Sequence, residues 1–257
     1  MAGMKIILSP AKKMNVDTDS IGVLGLPAFL PRTAKLLEWI RNKSYGELKA
    51  LWKCNDKIAE ENFQRFQNME LTRQLTPALL SYEGIAYQYM APGIFTDRQW
   101  RYVGEHLRIL SGFYGILKPQ DGVVPYRLEM QARAAVGGFK NLYDFWGRSL
   151  YDALMEECSS RLIINLASAE YSKCIEKYLS REDHYVTVIF GEWKDKKIVQ
   201  KGTMAKMARE EMVRFMSEQG VEDIEGIKKF SGLGYRFEES LGDKGKLVFI
   251  KKDNLMP

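Results

Sequence analysis

The sequence predicts a mixed α/β fold: a central mixed sheet surrounded by helices. Three observations predict it. Short apolar runs at 4–8, 107–110 and 161–166 alternate with stretches of helical periodicity. Two later alternating runs, 185–192 and 196–200, have hairpin spacing, so the sheet is not wholly parallel. The chain has 257 residues, 46% of them hydrophobic, enough to bury a sizeable core. Residues 4–251 read as one domain. Residues 1–3 precede a second methionine, Met4, and read as a start extension or cloning remnant.

The elements follow in order. MKIIL at 4–8 is a β-branched run stopped by Ser9-Pro10, hence a strand. Residues 15–30 are rich in Gly, Pro and Asp and read as loop. Apolar spacing predicts helices over 32–42, 45–51 and 56–67, the last two separated by a short break at 53–55. Helices are also expected over 77–89, although Gly84 weakens it, and over 97–105. Leu107–Leu110 is a strand that leads into LSGFYGILKPQDGVVPYRLEM at 110–130. That segment is too irregular for helix or strand and too rich in reactive groups for a spacer. A continuous amphipathic helix is expected over 142–158, a buried strand over 161–166, and a helix over 169–179. The hairpin turns at Trp193-Lys194-Asp195. A long helix covers 204–219, short strands cover 235–238 and 247–251, and the tail from 252 to 257 frays.

Composition narrows the function classes. Lys and Arg number 38 against 33 Asp and Glu, a net charge of +5 that is compatible with a polyanion partner or with a merely solvated surface. Three scattered cysteines, Cys54, Cys158 and Cys174, argue for a reducing compartment and against a zinc site. Two histidines leave little material for a His-based triad or metal centre. No signal peptide or membrane-length apolar run is visible, so a cytoplasmic location is expected. No GxGxxG follows the first strand, and no cofactor or metal site is predicted.

Three strand ends share one polar vocabulary. IILSPAK supplies Ser9 and Lys12, RILSGFYG supplies Ser111 and Tyr114, and IINLASAEY supplies Asn165, Ser168, Glu170 and Tyr171. Ligands of open α/β sheets sit beyond the carboxyl ends of the strands, so neighbouring strands would bring these groups into one crevice. The competing reading makes each serine a helix cap. In PYRLEM, Arg127 and Glu129 lie two apart in extended chain and face one side. They either pair with each other or act as an anion clamp and an acid or base. Asp121 is a turn residue, and Tyr114 and Tyr126 either pack or stack on bases. Two basic stretches are candidates for a nucleic-acid backbone. The helix pair around 53–55 carries Lys49, Lys53, Lys57 and Arg65 in a helix–hairpin–helix-like arrangement that lacks the usual glycines. The helix from 204 carries Lys206 and Arg209 at near-helical spacing.

Taken in order, ILSPAK, LRILSGFYGILKPQDG, PYRLEM, LYDFWG, INLASAEY, AKMAR and GYRFEES resemble the bacterial YaaA family of peroxide stress resistance proteins. The resemblance spans nearly the whole chain. It implies a cytoplasmic protein that limits oxidative damage and helps keep free iron low. It also implies DNA binding through a basic cleft and a helix–hairpin–helix element in a fold of the family's own. The expected partner is double-stranded or structured DNA read with little sequence preference. Two departures stand out: Glu210 follows Arg209 where the family usually has glycine, and Lys13 follows Lys12 where threonine or a similar residue is common. The alternative function is an enzyme acting on a nucleotide-like ligand. In it Glu129, Glu170 and Ser111 are catalytic candidates, and Ser9, Lys12, Tyr114, Tyr126, Arg127, Asn165 and Ser168 are binding residues.

Overall fold

The computed structural model describes residues 3–194 and 197–252. Met1 and Ala2 of the expected extension, Asp195 of the expected hairpin turn, and residues 253–257 of the expected tail lie outside the described residues. The main sheet is built from β1 (Met4–Leu8), β2 (Leu107–Ser111), β3 (Gly115–Leu117), β4 (Leu162–Asn165), β5 (His184–Lys194), β6 (Lys197–Val199), β7 (Tyr235–Phe237) and β8 (Lys246–Lys251). Their order is β7-β8-β5-β4-β1-β2-β3, with β6 paired to β5. Pairings among β2, β1, β4, β5 and β8 are parallel, whereas β3, β6 and β7 add antiparallel. The mixed sheet is therefore as the late hairpin predicts.

β1 is buried at every position, as expected of an apolar run lying between two parallel neighbours. Ile6 pairs with Leu107 on one side and with Ile164 on the other. The chain thus builds β2 and β3 on one side of β1, then crosses to lay β4, β5 and β8 on the other. That reversal is a topological switch point, and the carboxyl ends of β1, β2 and β4 flank it.

Several helices start where side chains satisfy their first amides. Ser44 and Glu47 form a capping box for Tyr45–Trp52, Asn55 caps Asp56–Asn68, and Thr96 with Gln99 caps Asp97–His106. The helix Gly202–Gln219 ends at Gly220 in the left-handed conformation.

Three expectations need correction. The helix expected over 77–89 is instead a short strand at Thr76–Pro77, one turn at Ala78–Ser81, a strand at Tyr82–Glu83 and a helix at Ile85–Met90. Pro77 pairs with Gly122 and Tyr82 with Met14, so tertiary partners claim this backbone before a helix can. The helix expected over 142–158 breaks into Leu142–Trp146 and Ser149–Glu156, because Gly147 adopts φ +54°. The 110–130 segment is not wholly irregular: it contains β3 and the pair Gly122–Val123.

Candidate functional site

The carboxyl ends of β1 and β4 meet directly. Ser168 N donates to Ser9 Oγ at 2.8 Å, and the two hydroxyls lie 3.3 Å apart. Ser168 occupies the N-cap position of Ala169–Glu176, yet its side chain makes no capping hydrogen bond. The expected cap role is therefore replaced by a bond between two strand ends. Beyond Ser9 the chain turns through Pro10 and carries Lys12 over the 126–129 segment. Lys12 Nζ lies 3.0 Å from Glu129 Oε1, and Arg127 donates to that same oxygen at 3.3 Å. One carboxylate oxygen thus holds two cations. Glu129 and Arg127 are largely shielded (19% and 12% exposed), whereas Lys12 is open at 63%. Arg127 Nε is buried without a partner among the described residues. Together with Tyr171 these groups leave only about 10 Å³ of free space, roughly one water.

Glu170 stands at the start of its helix and accepts from Gln131 N at 3.2 Å. Burial pushes its carboxyl above the usual range, and the charge of Glu129 adds to the rise, against the Gln131 bond and Lys12. Two carboxylates therefore share one site in unlike surroundings, one clamped by cations and one desolvated.

Ser111, Tyr114 and Tyr126 lie deeper. Ser111 and Tyr114 are wholly buried. Ser111 Oγ accepts from Phe113 N and Tyr114 N and sits 2.6 Å from the Tyr126 hydroxyl, which also meets Tyr82 at 2.9 Å. Tyr114 Oη accepts from Val124 N at 3.1 Å. Burial pushes the Tyr126 phenol up to about 12. These three residues tie the 110–130 segment to itself. Asn165 Oδ1 accepts from Ala167 N at 2.9 Å, which shapes the turn from β4 into the helix. Asp121 accepts from Lys118 N at 2.8 Å, as a turn residue should.

The basic stretches fall elsewhere. Tyr45–Trp52 and Asp56–Asn68 are joined by a three-residue turn in which Lys53 is left-handed (φ 46°), and Lys53 and Lys57 are exposed. Lys49 is paired with Asp56 at 2.5 Å. Lys206 is exposed, but Arg209 is half-buried and its Nε has no partner among the described residues. They do not share one solvated face. Beside Arg209, Glu210 is 5% exposed, and burial drives its carboxyl well above the ordinary range.

Sequence reasoning missed a second cleft of about 490 Å³, walled by Arg65, Glu70, Arg73, Val124 and Pro125, in which Arg73 pairs with Glu70 at 3.3 Å and Arg65 with Glu61 at 2.5 Å. Arg73 follows a helix end and pairs locally with Glu70, and the cleft forms only when Pro125 arrives from 52 residues away. Val124 and Pro125 wall this cleft, and Tyr126–Glu129 wall the Lys12 site. One continuous segment, at most ~20 Å long if extended, joins the two.

Fold and site define a class: an α/β protein with a compact cluster of two cations and two carboxylates at the switch point of a mixed sheet. Residues 4–241 match the family model of the peroxide stress protein YaaA, and the chain belongs to that family. It is 59% identical over 249 residues to a UPF0246 protein of Agathobacter rectalis, covering 97% of this chain and 99% of that one. A UPF0246 protein of Lachnoclostridium phytofermentans is 51% identical over 251 residues, covering 98% of each. One from Pediococcus pentosaceus is 49% identical over 250 residues, covering 97% of this chain and 99% of that protein. Family membership supports a role in peroxide stress.

Proposed function

We propose that this protein acts in the peroxide stress response as a cytoplasmic DNA-binding protein that protects DNA and helps limit intracellular free iron. The observation that carries the reading is the pair of cations, Lys12 and Arg127, held on a single Glu129 oxygen. Lys12 and Arg127 meet Glu129 at a switch point, with Glu170 beside them at the N-terminus of Ala169–Glu176, and both cations can turn to a phosphate that displaces the carboxylate. The segment that carries Arg127 leads into the Arg65–Arg73 cleft, so one strand could run from one to the other. Lys53 on the tight turn and Lys57 at the start of the following helix offer a further backbone contact of helix–hairpin–helix type. Contacts of this kind bind phosphate and carry little sequence information, so double-stranded or structured DNA is the partner this surface suits. Among the described residues no cluster of His, Cys, Asp or Glu is placed to hold a metal ion, so the proposed effect on iron is indirect.

The test is a mobility-shift series on a duplex and a mismatched duplex from 50 to 200 mM salt. Binding should fall steeply with salt, and Lys12→Gln with Arg127→Gln should lower the slope of log K against log salt by about 1–2. Absence of binding at 50 mM salt, or an unchanged slope in the double variant, would sink the reading.

A second reading is supported by the unlike carboxylates. Glu170, raised by burial, suits a general acid, and Glu129, held by two cations, is the second carboxylate beside it. An enzyme acting on a nucleobase or nucleotide would use that pair. Loss of a nucleotide-processing activity in Glu170→Gln, with DNA affinity intact, would favour it.

A further inference from the structure

Residues 131–143 form a loop whose two ends return to Glu170. Gln131 N donates to the Glu170 carboxylate at 3.2 Å, and Tyr143 Oη donates to Glu170 O at 2.9 Å. Between these anchors the chain first alternates, with Ala132, Ala134 and Val136 buried and Arg133 and Ala135 exposed. It then turns outward. Gly137 and Gly138 both have positive φ, 57° and 87°, and Phe139 N donates to Val136 O at 3.0 Å. Two successive positive φ values make a tight turn of the kind that glycine pairs favour. A Cβ at either glycine would meet nothing within 4 Å, so the glycines serve the path of the chain and not a close contact.

The turn delivers an aromatic ring into water. Phe139 is 45% exposed. Its ring is held by a perpendicular contact with the buried Phe145, centroids 5.7 Å apart, while the rest of it stays open. Four residues separate it from Tyr143, so its Cα stands at most ~14 Å from that anchor. The charge around the ring is positive. Arg133 and Lys140 are exposed, and neither forms an ion pair among the described residues. Arg32 lies 4.8 Å from the centre of the Phe145 ring and donates to Ser149 Oγ, not to a carboxylate. Asp144 is the only acid between residues 130 and 151, and Arg148 is held by Asp152 at 2.9 Å. At the anchored end Glu129 is held by Lys12 and Arg127, and Glu170 is half-buried and accepts from Gln131 N.

An exposed ring among unpaired cations is the arrangement that holds single strands: the ring takes the face of a base and the cations take phosphates. A protein-docking face would need contiguous apolar area, and Phe139 is the only exposed large hydrophobic residue between 130 and 151. We propose that this loop is a base-stacking platform, on which Phe139 stacks against an unpaired base of a DNA strand while Arg133 and Lys140 meet the flanking phosphates. The inference rests on the DNA-binding reading and narrows its partner to DNA with a base out of the helix.

The test is fluorescence anisotropy of the full chain at low salt with three labelled probes: a short oligothymidylate, an abasic strand of the same length and charge, and a matched duplex. The native chain should bind the oligothymidylate at least about fivefold more tightly than the abasic strand, the low end for one stacked base. Phe139→Leu keeps apolar bulk but removes the ring. It should bring that ratio within twofold and leave duplex affinity within twofold. Phe139→Trp should preserve the ratio, and the fluorescence it gains should be quenched by the oligothymidylate and not by the abasic strand. Arg133→Gln with Lys140→Gln should weaken both single strands alike and lower the slope of log K against log salt by about 1–2. Failure of the native chain to bind any of the three probes would remove the DNA-binding reading and this inference together. Duplex binding with a native ratio within twofold, or an undiminished ratio in Phe139→Leu, overturns the platform alone. An undiminished ratio with loss of a dimer on gel filtration would also overturn it, and would give the ring to a second copy of the chain.

Discussion

Replacing Glu129 by glutamine separates the two readings of the switch-point site. Glu129 Oε1 lies 3.0 Å from Lys12 Nζ and 3.3 Å from Arg127 Nη2. At 3.0 Å one such pair is worth ~1.4 kcal/mol in a water-like dielectric and ~5 kcal/mol at an effective dielectric of 20. Lys12 is 63% exposed, so solvent screening puts its pair near the lower figure, and measured pairs of this kind fall lower still. Arg127, at 12% exposed, retains more. A phosphate that enters this site must displace the carboxylate from both cations, so it loses roughly 1–2 kcal/mol that Glu129→Gln would restore. That corresponds to about five- to thirtyfold tighter DNA binding. The freed cations can each meet a phosphate, so the salt slope should steepen by about 1–2. Fluorescence anisotropy of a labelled duplex between 50 and 200 mM salt reads both quantities. Under the enzymatic reading the same substitution abolishes turnover and tightens nothing. Unchanged or weaker affinity with an unchanged slope would refute the argument that Glu129 competes with phosphate for these cations.

Two further predictions concern the scaffold. Burial raises Asp121 from 3.8 to about 6 in the folded chain, with Lys118, Arg108 and Glu157 as the nearby charges. Its folded value lies above its unfolded one, so the stability it contributes is complete below the unfolded value and lost as pH rises through about 6. Asp121→Asn keeps an acceptor for Lys118 N, so its stability relative to the native chain should improve by up to about 3 kcal/mol between pH 4 and 7. Urea unfolding at both pH values checks this, and a difference that stays flat within ~0.5 kcal/mol would count against it. Tyr126→Phe removes the hydroxyl that meets Ser111 and Tyr82 in the interior and should cost about 1–3 kcal/mol. An unchanged urea midpoint would show that those hydroxyls find other partners.

Local pattern made the sheet legible. β1, β2 and β4 are apolar runs that end in polar residues, and their adjacency follows from parallel pairing on both sides of β1. The Arg127–Glu129 ion pair follows from a spacing of two in extended chain. Features that depend on distant partners were not legible. The 77–89 stretch has helical spacing, but Val123 and Gly122 pair with Thr76 and Pro77 and draw them into a ladder. Apolar periodicity runs straight through Gly147, so only its positive φ reveals the break. Lys206 and Arg209 share a side by spacing, yet their helix packs along Ile85–Met90 and the two are buried unequally. The Arg65–Arg73 cleft, and a larger cavity of about 760 Å³ between the 21–28 loop and the helix Asp97–His106, exist only once loops from separate parts of the chain meet.

The 110–130 segment explains how one scaffold walls three clefts at once. Its ends return to the same place: a Cβ added at Gly112 would lie 2.4 Å from Leu128 O and 2.9 Å from Glu129 C. Only glycine permits that approach. Ser111 to Tyr126 and Tyr114 to Val124 close the ring from inside, and Trp146 donates to Gly112 O at 3.0 Å. The interior of the ring is aromatic, with Phe113 stacked on Tyr126 and edge-on to Tyr114. Its outer residues then divide by position: 118–121 face the large cavity, 124–125 the Arg65–Arg73 cleft, and 126–129 the Lys12 site. A ring closed by buried hydroxyls and a glycine contact resists independent motion of its parts. Displacing one wall therefore strains the other two.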